Sequence, residues 1–242
     1  MSTHGYNPGM ARTRIKICGI TRAEDAAAAA ELGADAIGLN FVGGPRKIAL
    51  ALGRIILDSL PPGVIPVGLA YSVSVARSGA PSAMTINFAT GIRTFQIYDD
   101  EAVKNFTHPE TALDLWYVVR VASRDLSDLK ALVQPDLPGG ATIQALVLDT
   151  ASPGQLGGTG QTFNWRWIAD ARAAGVLEGV PPVVLAGGLT AENVGEAIRM
   201  ARPYAVDVSS GVEVAGKPGI KDAAKMRDFI QAVRAADDGL CS

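Results

Sequence analysis

From Arg14 onward, short apolar runs rich in branched residues alternate with longer stretches whose apolar positions recur every three or four residues. Short runs of this kind predict strands, and the longer spacing predicts helices. The strands are expected over Arg14–Cys18, Ala36–Asn40, Ile65–Ala70, Arg93–Ile97, Leu115–Val121, Ala145–Asp149, Val183–Ala186 and Ala205–Val208. The helices are expected over Arg22–Leu32, Leu50–Leu60, Pro81–Thr90, Ala102–Phe106, Leu126–Leu132, Asn164–Ala174, Asn193–Ala201 and Asp222–Ala235. Strands alternating with helices build βαβ units and a parallel sheet. Eight such units in 242 residues argue for closure into a barrel. The expected fold class is therefore α/β, a single parallel eight-stranded (β/α)8 TIM barrel. No shift in composition marks a second domain. The barrel is expected over residues 14–236, between a flexible N-terminal extension at 1–13 and a flexible tail at 237–242.

Two stretches look like copies of one unit. Gly19-Ile20-Thr21-Arg22-Ala23-Glu24 opens one helix, and Gly188-Leu189-Thr190-Ala191-Glu192 opens another. Fifteen positions separate Thr21 from Ala36 and Thr190 from Ala205, the residues that open the following strands. Thr21 and Glu24 also have the spacing of a capping box. Glycine-rich segments fall where strands end: Gly157-Gly158-Thr159-Gly160, Gly187-Gly188 and Ser209-Ser210-Gly211. In a barrel such loops gather on the C-terminal face, where active sites sit. Their backbone N–H groups can cradle a phosphate, although tight turns want glycine in any case.

Strand alternation selects the inward side chains. In the first strand Arg14, Lys16 and Cys18 share one face, and Ile15 and Ile17 share the other. Cys18 then stands above the Lys16 ammonium and near a helix N-terminus, and both favour thiolate. The bland alternative is a small buried cysteine filling a strand end. In the sixth strand Asp149 shares its face with Ala145 and Val147. A carboxyl ending an apolar strand is costly unless used or hydrogen-bonded, and the alternative is a loop-capping Asx turn. A thiolate and a carboxyl facing each other across a barrel mouth can divide a proton transfer between base and acid. Arg46, after the second strand, either grips a carboxylate or is an ordinary solvated arginine.

Composition narrows the partners. The net charge of −2 gives no surface for nucleic acid or an anionic membrane. The partner expected is a small phosphorylated molecule, with its positive field supplied locally; the oligomeric state is left open. No apolar run approaches membrane-span length, and the polar start lacks the core of a signal peptide. Cys18 and Cys241 are the two cysteines, which suits a reducing, cytoplasmic setting rather than a disulfide framework. The two histidines, His4 and His108, offer no metal-ligand spacing with the cysteines and no histidine triad. No metal and no cofactor is expected.

Several motifs, in order, resemble those of phosphoribosylanthranilate isomerases. They are Lys16-Ile17-Cys18-Gly19-Ile20-Thr21, Asp149-Thr150, Gly157-Gly158-Thr159-Gly160, Ala186-Gly187-Gly188-Leu189 and Asp207-Val208-Ser209-Ser210-Gly211-Val212-Glu213. The run Gly216-Lys217-Pro218-Gly219-Ile220-Lys221-Asp222 resembles the family's approach to its last helix, and the likeness spans about Arg14 to Ala235. The resemblance implies an Amadori rearrangement of N-(5-phosphoribosyl)anthranilate in tryptophan biosynthesis. It places Cys18 as general base and Asp149 as general acid. It places Arg46 on the anthranilate carboxylate and Asp207 near the substrate. Gly158, Thr159, Gly160, Gly187, Gly188, Ser209, Ser210 and Gly211 match the phosphate site.

The chain departs from the family at three places. Gly44-Pro45-Arg46 stands for Ser-Pro-Arg, and Tyr71-Ser72 for Val-Asn. Phe95-Gln96-Ile97-Tyr98-Asp99 stands for Val-Gln-Leu-His-Gly, so Tyr98 replaces a histidine and is expected to face the substrate beside Gln96. Two rivals remain open: a histidine-pathway isomerase, which is expected to carry aspartate where this chain has Cys18, and a barrel that only binds a phosphorylated ligand.

Overall fold

The computed structural model describes residues 12–98, 113–132, 142–151 and 162–240. Eight strands form a closed barrel in chain order: β1 (Arg14–Cys18), β2 (Ala36–Asn40), β3 (Ile65–Ala70), β4 (Thr94–Ile97), β5 (Asp114–Val121), β6 (Thr142–Thr150), β7 (Val183–Leu185) and β8 (Ala205–Val208). Every neighbouring pair is parallel, and closure is made by β8 on β1, with Arg14 opposite Ala205 and Ile17 opposite Val208. The described helices are α1 (Ala23–Leu32), α2 (Leu50–Asp58), α3 (Ala83–Thr90), α4 (Leu129–Leu132), α5 (Arg166–Ala173), α6 (Val194–Ala201) and α7 (Ala223–Leu240). A short 3-10 turn, Ser210–Val212, follows β8. The helix expected over Ala102–Phe106 lies outside the described residues, as do Gly158, Thr159 and Gly160.

Alternation within each strand divides the core in two. Ile15, Ile17, Leu39, Phe95, Leu146 and Leu148 point outward and pack under the helices. Val118, Ala145, Val147, Val184, Ala186 and Ala205 form a smaller cluster inside the barrel. That inner cluster lines only the β5–β8 side. The opposite side holds Lys16 and Gln96 beside Val67 and Leu69 of β3, and Asp207 reaches in from β8, all buried.

The capping box is not formed. Thr21 donates its hydroxyl to the Gly219 carbonyl at 2.6 Å, and α1 starts beyond Arg22 with no side-chain cap. The hydroxyl is drawn across the rim to that carbonyl, and Arg22 pairs with Asp25. Both ends of the barrel domain also extend further than expected. Helix α7 runs on to Leu240, so residues 237–240 are helix rather than flexible tail. Thr13 belongs to the fold as well: its backbone N–H donates to Asp237 Oδ2 at 3.0 Å and its hydroxyl to Asp237 Oδ1 at 2.6 Å. One carboxylate thus ties the start of β1 to the last turn of the last helix.

This tie gives a stability prediction. Asp237→Ala leaves the Thr13 N–H and hydroxyl unpaired at a buried position, a loss of about 2 kcal/mol. Thermal unfolding followed by circular dichroism should show a midpoint lowered by roughly 4–8 °C, with KM unchanged.

Candidate active site

The site is built on the C-terminal ends of the strands. Lys16 is 1% exposed, and its ammonium donates to Asp207 Oδ2 at 2.8 Å and to Gln96 Oε1 at 3.0 Å. A charge this deep is tolerated only when paired and hydrogen-bonded. Cys18 lies one inward position above it, buried, with its sulfur within electrostatic reach of the ammonium. Gly38 on the neighbouring strand makes the arrangement possible. A Cβ there would stand 2.6 Å from Cys18 Sγ and 3.1 Å from Lys16 Nζ.

The electrostatics correct one expectation. The Lys16 cation was expected to favour thiolate at Cys18. Instead burial pushes the thiol up from its ordinary value, and the pull of Lys16 does not overcome burial together with the negative charge of Asp207. The ammonium is already committed to Asp207, so only part of its field reaches the sulfur.

Asp149 is the penultimate residue of β6, across the mouth from Cys18. Its Oδ1 accepts the Thr150 N–H at 2.9 Å, and Arg120 Nη1 lies 3.5 Å from Oδ2. Burial pushes the carboxyl up to about 6, against the opposing pull of Arg120. Such a group exchanges its proton near neutrality, which suits acid–base chemistry.

Gln96 and Tyr98 face inward from β4, and Gln96 Nε2 donates to Tyr98 Oη at 3.0 Å. Burial holds the Tyr98 phenol well above its ordinary value. Asp207 keeps Oδ1 buried and without a partner among the described residues, although Oδ2 is paired. Such an acceptor is costly until something donates to it.

Arg46 is neither solvated nor open-handed. Its Nε and Nη2 each donate to the Glu213 carboxylate at 2.7 Å. That pairing leaves Nη1 outside the fork. Glu213 also accepts from Lys221 Nζ at 3.0 Å and from the Gly219 N–H at 2.9 Å.

Cys18, Arg46, Gln96, Tyr98, Asp149 and Asp207 line a single cavity of about 540 Å³. Gly187, Gly188, Ser209 and Ser210 line it too. Gly211 does not, because it packs against the Leu189 carbonyl. Gly187 and Gly188 have φ of 87° and 62°, in the left-handed region that favours glycine. Sequence reasoning quoted Glu213 and Lys221 but gave them no role, and it passed over Arg120. Alternation along β5 could have found Arg120, since Trp116, Val118 and Arg120 fall on one face. Among the described residues no cluster of three or more His, Cys, Asp or Glu is arranged to hold a metal. Among the same residues no helix is long and apolar enough to cross a membrane.

A parallel eight-stranded barrel with an acid, a thiol and glycine-rich loops around one mouth defines a (β/α)8-barrel enzyme. The model of the N-(5'-phosphoribosyl)anthranilate (PRA) isomerase family matches residues 15–232. An N-(5'-phosphoribosyl)anthranilate isomerase of Pseudomonas paraeruginosa is 43% identical over 226 residues, covering 93% of this chain and 97% of that one. The solved phosphoribosyl anthranilate isomerase of Thermus thermophilus has a TM-score of 0.70 at 30% identity, covering 92% of this chain and 99% of that one. A phosphoribosyl anthranilate isomerase solved in complex with reduced 1-(o-carboxyphenylamino)-1-deoxyribulose 5-phosphate has a TM-score of 0.67 at 28% identity, over 92% of this chain and 99% of that one. The chain belongs to the phosphoribosylanthranilate isomerase family, a family of enzymes.

Gly187 yields the prediction for this site. A Cβ there would clash with Thr150 Oγ1 and stand 2.9 Å from Asp149 Oδ1, at a φ that L side chains avoid. Gly187→Ala should cut turnover by roughly five- to a hundredfold, since strain of this kind amounts to about 1–3 kcal/mol. Inhibition by inorganic phosphate should weaken in parallel. Unchanged turnover and unchanged phosphate inhibition would show that this loop lies outside the working site.

Proposed function

We propose that this enzyme rearranges N-(5-phosphoribosyl)anthranilate to 1-(2-carboxyphenylamino)-1-deoxyribulose 5-phosphate, a step of tryptophan biosynthesis in the cytoplasm. The observation that carries the reading is a buried thiol and a carboxyl of raised pKa on opposite walls of one cavity, with two glycine and serine loops at its rim. A solved relative holds a reduced form of the same product. The reaction moves protons within one molecule and is redox-neutral overall, so the two side chains suffice for the chemistry.

Asp149, protonated, donates to the ribose ring oxygen. The C1–O bond breaks, and the anilino nitrogen supplies electrons to give an open iminium. Cys18 as thiolate removes the proton from C2, leaving an enolamine that tautomerises to the ketone. The Gly187-Gly188 and Ser209-Ser210 loops hold the 5-phosphate with backbone N–H groups, joined by Gly158, Thr159 and Gly160. Arg46, braced by Glu213, turns its remaining donors to the anthranilate carboxylate. Asp207 accepts from a sugar hydroxyl through its unpaired Oδ1, and Gln96 and Tyr98 form the wall beside the ring. Anchoring the phosphate and the carboxylate remote from C1 and C2 holds the reacting atoms in register.

The protonation states follow from the raised pKa values. At neutral pH the site carries mainly thiol and carboxylate. The working pair, thiolate with carboxylic acid, is the minor tautomer of the same singly protonated site. At low pH both groups are protonated and the base is missing; at high pH neither is, and the acid is missing. The ratio kcat/KM should therefore rise through the Asp149 step at about 6 and fall through the higher thiol step.

Variants separate the two roles. Cys18→Ala and Cys18→Ser should each lower kcat by about 10²-fold or more, since a hydroxyl has no comparable anion near neutrality. Asp149→Asn should lose as much, because an amide cannot protonate the ring oxygen. Affinity for a product analogue should survive in all three. Near-normal turnover, read by the disappearance of anthranilate fluorescence, would remove that residue from the mechanism. Lost affinity together with lost turnover would indicate a collapsed site instead.

A further inference from the structure

Arg120 stands near the C-terminal end of β5, on the face it shares with Trp116 and Val118. The steps above do not use it. Its guanidinium lies 5.6 Å from the centroid of the Tyr98 ring, over the ring face. Its Nη1 is 3.5 Å from Asp149 Oδ2 and 3.5 Å from the Thr150 carbonyl oxygen. The Arg120 side chain is 28% exposed, and that of Asp149 is 11% exposed. A guanidinium drawn this far into a barrel gives up hydration, and only a neighbouring negative charge offsets that loss fully. The neighbour that becomes negative during turnover is Asp149.

We propose that Arg120 is a positioning residue for the general acid: from its place over the Tyr98 ring it holds the Asp149 carboxyl and stabilises the carboxylate left when the proton passes to the sugar's ring oxygen. The proposal rests on the reading of Asp149 as the acid.

The groups around Asp149 make Arg120 the natural source of that stabilisation. Lys16 faces the carboxyl from β1 but is bound to Asp207 at 2.8 Å. Asp207 faces it from β8 and opposes its ionisation. Tyr98 faces it from β4 as a neutral phenol, and Cys18 stands across the mouth as a thiol. The Thr150 N–H supports Oδ1, which leaves Oδ2 to Arg120. An arginine suits this place better than a lysine. Its delocalised cation lies over the aromatic ring while Nη1 reaches the carboxyl, and a compact ammonium cannot do both.

The arrangement also bears on rate. The guanidinium lowers the pKa of Asp149 against its burial. Without it the acid would hold its proton more tightly and would be a poorer donor at the ring oxygen. Arg120 therefore trades a smaller protonated fraction for a stronger acid.

The test reads the carboxyl directly. Aspartate labelled with 13C at its side-chain carboxyl is incorporated into the enzyme, and the Asp149 resonance is assigned by its loss in Asp149→Asn. In the parent its titration midpoint should lie at about 6. In Arg120→Met and Arg120→Gln, which both remove the charge, the midpoint should rise by about one pH unit. The lower limb of kcat/KM should rise with it. The substrate phosphate titrates in the same range, so the resonance decides and the kinetic limb only follows. Thermal unfolding and inhibition by inorganic phosphate should stay near the parent's, and either folded variant suffices for the reading. A midpoint that stays or falls in a folded variant would overturn the proposal. A midpoint that rises while Asp149→Asn still turns over would confirm the hold of Arg120 on the carboxyl and overturn the assignment of Asp149 as the acid.

Discussion

One buried ion pair, the Lys16 ammonium on the Asp207 carboxylate at 2.8 Å, sets the terms for the rest of the barrel. A cation at 1% exposure costs several kcal/mol to desolvate, and that cost is met only by good partners. Asp207 supplies the charge, Gln96 a neutral acceptor, and Cys18 a third contact. Each partner is thereby fixed. Gln96 holds Tyr98 and shapes one wall, while Asp207 is left with one oxygen that has no partner among the described residues. The strand beside them must carry glycine at position 38, because a Cβ would meet both the sulfur and the ammonium. The inner aliphatic cluster fills the β5–β8 side, and Val67 and Leu69 of β3 complete the interior beside the ion pair.

At the rim a second carboxylate plays the corresponding part for the loops. Glu213 binds Arg46 from the loop after β2, Lys221 and the Gly219 N–H from the approach to α7. Burial works against its ionisation, but these donors hold its carboxyl below the usual range. Lys221 also donates to the Ser209 carbonyl, and Thr21 reaches Gly219 from the loop after β1. Loops from β1, β2 and β8 thus form one braced rim. The glycine loop after β7 meets that rim where Gly211 packs on the Leu189 carbonyl. A rim tied in this way presents backbone donors and the Arg46 guanidinium with little to reorganise when a ligand arrives.

The barrel was legible because its signal is local: alternation within each strand decides which residues reach the helices, and Ile15 and Ile17 do so as their spacing requires. The inward placement of Cys18, Gln96, Asp149 and Asp207 follows from the same period. What could not be read were pairings over long sequence distances. Nothing near Arg46 announces Glu213, 167 positions away, and nothing near Thr13 announces Asp237, 224 positions away. The capping box at Thr21 failed for the same reason, since a remote carbonyl took the hydroxyl. The Cys18 thiol was misjudged because a neighbouring cation was credited in full, although Asp207 already held it. Arg120 was a different kind of miss, visible in the β5 alternation and not followed there.

The sharing of Lys16 between Asp207 and Cys18 is the claim on which the chemical reading depends most, and it can be tested on the resting enzyme. The measurement is the pH dependence of Cys18 alkylation by iodoacetamide, read by mass spectrometry of the Cys18 peptide, in the parent and in Asp207→Asn. Asp207 both repels the thiolate and holds the ammonium, so removing its charge should lower the thiol's titration midpoint and raise its reactivity at neutral pH. A midpoint that is unchanged or higher in a folded Asp207→Asn would show that the ion pair does not govern the thiol, and the account of the base would fall with it.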